Sequence, residues 1–167
     1  YRLLRLGTIV HSDVEQAISM YKSKLDDMQT ENAPVQREIY VEQKVRIKDL
    51  EVSGTFDAGQ MTTFKLNDNR KEFSLYDLKT AAAYKWTTMF GRKVNRVANS
   101  DLNYKLQLGT YALGVKEYCN PDWIGLYLVW YNKNTSQMRQ QQVDPQYIDR
   151  ALEYWEEVYE IKEDLGK

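Results

Sequence analysis

Three period-two runs follow one another between Arg37 and Thr80, and no other feature of the chain narrows the fold as much. In "REIYVEQKVRI" the apolar positions Ile39, Val41, Val45 and Ile47 alternate with Glu38, Tyr40, Glu42, Lys44 and Arg46, the pattern of a strand buried on one face. In "EVSGTFDAGQM" Val52, Gly54 and Phe56 share one face, and Thr55 and Asp57 the other. The third run, "EFSLYDLKT", follows the polar turn "KLNDNRKE", so the second and third strands are expected to form an antiparallel hairpin. That pairing brings Asp57 and Asp77 close, because both lie near the same end of the hairpin. The same two-residue period sets Asp77 beside Lys79 on one face, about 6 to 7 Å apart along the strand.

Helical spacing brackets these strands. In "LLRLGTIVHSDVEQAISMYKSKL" the apolar residues Leu3, Leu6, Val10, Val14, Ala17, Ile18 and Tyr21 mark one stripe with His11 at its edge. The polar stretch "QTENAPV" then breaks the helix at Pro34. After Thr80 the alanines suggest a helix. "DLNYKLQLGTYALGVKEY" is a clearer one, with Leu106, Leu113 and Tyr118 expected on its apolar side and Gln107 and Tyr111 four apart on one face. A hairpin, "WIGLYLVWYNKNTSQMRQQQV", and a last helix opened by Asp144 as cap and Pro145 in its first turn complete the order. The layout is α/β (α+β), a central mixed sheet flanked by helices. At 167 residues with 43% hydrophobic and 28% charged composition, the expectation is one domain over 1–167, either whole or a fragment of a longer chain.

Charge and cysteine usage exclude some classes. The formal net charge is -1, which gives no global case for nucleic acid, but the distribution is uneven. From Lys79 to Asn120 seven basic residues face two acids, a local balance of +5, whereas the last helix is acidic. That leaves one side for a polyanion. The single cysteine, Cys119, excludes an internal disulfide, a four-thiolate zinc site and an iron–sulfur cluster held by this chain alone. No stretch approaches the roughly 20 apolar residues needed to cross a bilayer, and a cytoplasmic setting without a membrane partner is expected.

Carboxylates are the ligands that Mg²⁺ demands, one or two of them with water and substrate phosphate, and Asp57 and Asp77 supply such a pair. A lysine beside the metal orients the nucleophile or stabilises the transition state as a point charge. Lys79 is placed for that task, and His11, the only histidine, can complete a metal shell. Each residue also has an ordinary reading: an acid and lysine on a solvated strand edge, an imidazole at a core edge, and a glutamine and tyrosine packed on a sheet. Glu38 and Glu42 read as solvated charge on the polar face of the first strand.

Taken in order, Gly7 with His11, Gly54 with Asp57, Asp77 with Lys79 and Thr80, and Gln107 with Tyr111 resemble the motifs of the PD-(D/E)XK nuclease superfamily. The similarity is to its RecB-type and phage exonuclease branch: G-x-x-x-H on a helix, G-x-x-D and D-x-K-T on strands, and Q-x-x-x-Y on a following helix. The resemblance covers roughly residues 3 to 115. It implies a restriction-endonuclease-like core and Mg²⁺- or Mn²⁺-dependent hydrolysis of DNA phosphodiesters. The expected activity is exonucleolytic, in recombination, repair or phage DNA processing. It also implies catalytic roles for Asp57, Asp77 and Lys79, and metal ligation by His11, Asp57, Asp77 and the Leu78 carbonyl. Gln107 and Tyr111 become an accessory pair toward the active site or the DNA.

Lys85, Arg92, Lys93 and Arg96 are further phosphate contacts suggested by the basic segment after the catalytic lysine. The expected partner is single- or double-stranded DNA, with a helicase or recombination protein beside it, in a bacterial or phage-infected cell. Phe56 stands where the family's name has proline, and there is no GxxxxGK[ST] motor motif. Two other readings are a non-catalytic nucleic-acid-binding module of the same fold and an RNA-cleaving endonuclease. The first would be expected to have lost at least one of His11, Asp57, Asp77 and Lys79, and all four are present.

Overall fold

The computed structural model describes residues 2–81 and 99–166, with side chains over 13–80 and 102–166. Among the described residues, helix α1 (Arg2–Met28) leads into strand β1 (Val35–Ile47). A 3-10 turn follows, then β2 (Val52–Phe64), β3 (Arg70–Ala81), α2 (Asn99–Cys119), β4 (Trp123–Asn132), β5 (Met138–Val143) and α3 (Gln146–Leu165). The strands form one sheet in sequence order. The β1–β2, β2–β3 and β4–β5 pairs are antiparallel, and β3–β4 is parallel. A parallel neighbour needs a long crossover, and α2 lies within the one that joins β3 to β4.

The expected hairpins are present. The β2–β3 ladder closes through 65–69 with Phe64 opposite Arg70. The β4–β5 turn is held by Asn132, 2% exposed, whose Oδ1 accepts the backbone N–H groups of Asn134 and Thr135. At the start of α3, Asp144 Oδ1 accepts the Gln146 N–H at 2.9 Å, which satisfies one of the donors that a helix N-terminus leaves open. No described helix is long and apolar enough to cross a membrane. The alanine-rich stretch after Thr80 lies mostly in residues 82–98, outside those described.

The main core lies between the sheet and α2. Phe56, Phe73, Leu75, Leu126, Leu128 and Trp130 pack there against Leu108, Ala112 and Val115. This corrects the expected apolar side of α2 in part: Leu113 packs against the core, but Leu106 is only half-buried and Tyr118 is exposed. The reason is that α2 is covered twice, by the sheet on one side and by α3 on the other, so apolar residues surround it and no single stripe stands out. Gly109 sits at the second contact. A Cβ there would fall 2.1 Å from the carbonyl oxygen of Tyr147, so only glycine lets α3 approach this closely.

The first strand also departs from its even alternation. Val45 packs in the α2-side core and meets Gly114 of α2, whereas Ile39 lines a cavity with Val14 and Ile18 of α1. The two apolar pairs of β1 thus point to opposite faces of the sheet. The phase changes at Glu42, whose φ of 45° is left-handed. The β1–β2 ladder skips there, running from Val41↔Ala58 to Gln43↔Phe56. Glu42 and Asp57 are the two residues left out, one on each strand, so both strands change phase together, much as at a bulge.

Candidate active site

Asp57 and Asp77 meet where β2 and β3 part. The last main-chain pair is Ala58↔Tyr76, and the next step of that register sets Asp57 opposite Asp77. There the backbone pairing gives way to a side chain: Asp57 Oδ2 accepts the Leu78 N–H at 2.8 Å. In a strand the N–H and C=O of one residue lie on the same edge, so the Leu78 carbonyl borders the same opening.

Asp77 is 4% exposed. Burial, and next a hydrogen bond shared with the Asp57 carboxyl, push it from 3.8 up to about 7, against the opposing charge of Lys79. The Lys79 ammonium lies 2.9 Å from Asp77 Oδ2. The contact is an ion pair that compensates this buried oxygen. A carboxyl buried this deeply depends on such a partner.

Lys79 is held from the other side by α2. Its Nζ donates to Gln107 Oε1 at 3.1 Å and lies 4.5 Å above the Tyr104 ring. Gln107 Nε2 in turn donates to the Tyr111 hydroxyl at 2.9 Å. Burial first, then the charges of Asp77 and Asp57, raise the Tyr111 phenol above its usual range. Tyr111 reaches this place because Gly54 has no side chain: a Cβ there would fall 2.8 Å from the tyrosine ring. The glycines and polar residues of the two motifs therefore interlock across the sheet–helix boundary.

Two further acids adjoin the pair on the α1 side. Glu15, half-buried on α1, is raised to about 7 by burial, then by a hydrogen bond with Glu42 and by the charges of Glu42 and Asp57. Glu15 and Asp57 both line the cavity beneath α1, about 270 Å³ in volume. The sequence reading did not single out Glu15, although it stands four residues after His11 on the same helical face. Glu42, read as solvated charge, is exposed, and its carboxyl also meets Glu15.

The structure thus gathers Asp57, Asp77, Leu78, Lys79, Gln107 and Tyr111 at one opening. His11 lies on α1 one turn before Glu15, with its side chain outside the described set. Lys85, Arg92, Lys93 and Arg96 lie outside the described residues altogether. Among the described residues no group of three or more His, Cys, Asp or Glu side chains is arranged to hold a metal ion by itself. The donors present still fit Mg²⁺ or Mn²⁺: two adjoining carboxylates and a main-chain carbonyl, with water making up the shell.

No family model matches the sequence, and no curated protein matches it. Solved structures match it by fold. One is a candidate exonuclease from Eubacterium rectale, with a TM-score of 0.54 and 12% identity over 93% of this chain and 64% of that one. The chain therefore spans 64% of that protein's length. The fold is α+β, a mixed five-stranded sheet with helices on both faces, similar to that of this candidate exonuclease.

Proposed function

We propose that this chain is a divalent-metal-dependent DNA nuclease of the PD-(D/E)XK type, acting on strand ends. The observation that carries the reading is the pair of carboxyls at the end of the β2–β3 ladder, where buried Asp77 lies between Asp57 and a Lys79 ammonium 2.9 Å away. A hard cation held by both carboxyls would offset the crowding of two acids at one place. The likeness to a candidate exonuclease supports the assignment of ends as substrate.

When bound, the cation would supply charge neutralisation at the scissile phosphate and a more acidic water. Asp57, Asp77 and the Leu78 carbonyl would hold it. Any proton on Asp77 would pass to solvent water. Lys79 would turn from Asp77 toward the phosphate, where its compact ammonium stabilises charge that grows during attack by water. Gln107 limits that turn to a small arc, because its Oε1 fixes the ammonium on the α2 side, and Tyr111 holds Gln107 in place. The Tyr104 ring beneath Lys79 adds a second restraint.

The test is direct. End-labelled single- and double-stranded DNA is incubated with Mg²⁺, Mn²⁺ or EDTA, and products are resolved by length. Mononucleotide release with metal, absent with EDTA and absent in Asp77→Asn, is the expected result. No cleavage of any DNA with either metal would retire the proposal.

A further inference from the structure

We propose that the groove between α2 and α3 holds an unpaired nucleobase of the DNA strand whose phosphate reaches Lys79; this rests on the nuclease reading above. The groove encloses about 340 Å³ between Ser53 of β2, Asn103, Gln107 and Tyr111 of α2, and Tyr154 and Trp155 of α3. That volume is within the range of small-ligand sites, about 300 to 1,000 Å³.

Its chemistry suits a base. The Trp155 indole N–H donates to the Thr110 hydroxyl at 2.8 Å, which fixes the indole in one orientation. Tyr154 packs edge-on against it, with ring centroids 5.0 Å apart at 82°, yet remains 48% exposed. An aromatic ring braced by a fixed neighbour and open to solvent is a preorganised stacking platform. The amide of Asn103 and the hydroxyl of Ser53 offer donors and acceptors to a base edge. Such edges are available only when the base is unpaired.

Position and charge point the same way. Gln107 and Tyr111 belong both to this groove and to the candidate active site, and Gln107 bonds Lys79 directly, so the groove continues the site and is not a separate surface. Lys105 and Arg150 approach the Tyr147 ring at 5.6 and 5.1 Å. Arg150 stands one turn before Tyr154 on the same face of α3. The exposed acids Glu153, Glu156 and Glu157 line the outer side of α3 and oppose a phosphate backbone running along the helix. The base therefore enters and its phosphate stays at the Lys79 side. A paired base cannot enter without leaving its helix, which makes unpaired ends the preferred substrate.

The test compares wild type, Tyr154→Ala and Tyr154→Phe in Ca²⁺, using fluorescence anisotropy of a labelled single-stranded oligodeoxynucleotide and a blunt duplex. Tyr154→Ala should weaken single-strand binding about tenfold, the scale of one lost stacking partner, with Tyr154→Phe near wild type and duplex affinity unchanged. A single abasic position moved along the oligonucleotide should reproduce the loss at one site in wild type and add nothing in Tyr154→Ala. Unchanged single-strand affinity in Tyr154→Ala, or an equal loss on duplex, overturns the base site. Where wild type still cleaves DNA, that outcome leaves the nuclease reading standing. A wild type that neither binds nor cleaves either DNA overturns both.

Discussion

The Asp57 carboxylate accepts the Leu78 N–H at 2.8 Å, one step past the last main-chain pair of the β2–β3 ladder. A charged side chain thus replaces a rung and holds two strands apart at the place where Asp77 needs room. Two roles of Asp57 can be separated by substitution. Asp57→Asn keeps an acceptor for the Leu78 N–H and removes the charge, whereas Asp57→Ala removes both. Both should lose metal-dependent cleavage by roughly a hundredfold or more. Only Asp57→Ala should also leave a donor unpaired, at a cost of about 1 kcal/mol against the asparagine variant. Thermal or urea melts in EDTA check this, and equal stability of the two variants would remove the structural role.

Asp77 gives a pH dependence with a definite sign. Its folded value of about 7 is above its ordinary 3.8, so the folded state binds the proton more tightly than the unfolded one. The stability this contributes is complete below about pH 4 and lost as pH rises through 7. In EDTA, Asp77→Asn should therefore match wild type below about pH 4 and exceed it by a margin that widens up to pH 8, where the gap is at least about 1 kcal/mol. Added Mn²⁺ should reverse the order at pH 8, because only wild type gains a ligand. Parallel stability curves for the two proteins across this range would contradict the buried, protonated carboxyl.

Glu15 is raised to about 7 by burial, then by the neighbouring Glu42 and Asp57. Glu15→Gln removes one charge from a crowded set. The variant should be more stable than wild type in EDTA at pH 8 and should bind Mn²⁺ several-fold more weakly, read by calorimetry. Unchanged Mn²⁺ affinity would assign Glu15 to packing beneath α1.

The hairpin and the ordered motifs were legible because each depends on local spacing: a polar turn between two strands fixes a register, and that register alone brings Asp57 to Asp77. The phase change at Glu42 was hidden by the pattern itself. Ile39 and Val41 precede it, Val45 and Ile47 follow it, and both pairs are apolar because helices cover both sides of the sheet. An even alternation therefore conceals a one-residue shift, and with it the position of Glu42 beside Glu15. The core side of α2 was misread for a related reason, since Leu108, Ala112 and Val115 face the sheet while other apolar residues of the helix face α3. Glu15 carries no local signal, for its neighbours in the site come from strands that only the fold brings near.

Lys79 sits between an acid and an amide, 2.9 Å from Asp77 Oδ2 and 3.1 Å from Gln107 Oε1, and the two contacts predict different losses. If the ammonium acts on the phosphate in the transition state, Lys79→Ala should retain metal and DNA binding while single-turnover cleavage falls roughly a hundredfold or more. Lys79→Arg should not restore the rate, because a planar fork cannot occupy the space of a compact ammonium between Asp77 and Tyr104. Gln107→Leu should keep the lysine but free it from α2, giving a smaller fall, about tenfold, with DNA affinity retained. Tyr111→Phe should fall between Gln107→Leu and wild type, since it removes only the hydroxyl that steadies Gln107. Single-turnover rates at saturating enzyme separate these cases from binding. A collapse of DNA affinity in Lys79→Ala with an unchanged cleavage rate would make Lys79 a phosphate anchor and leave the chemistry to the carboxylates alone.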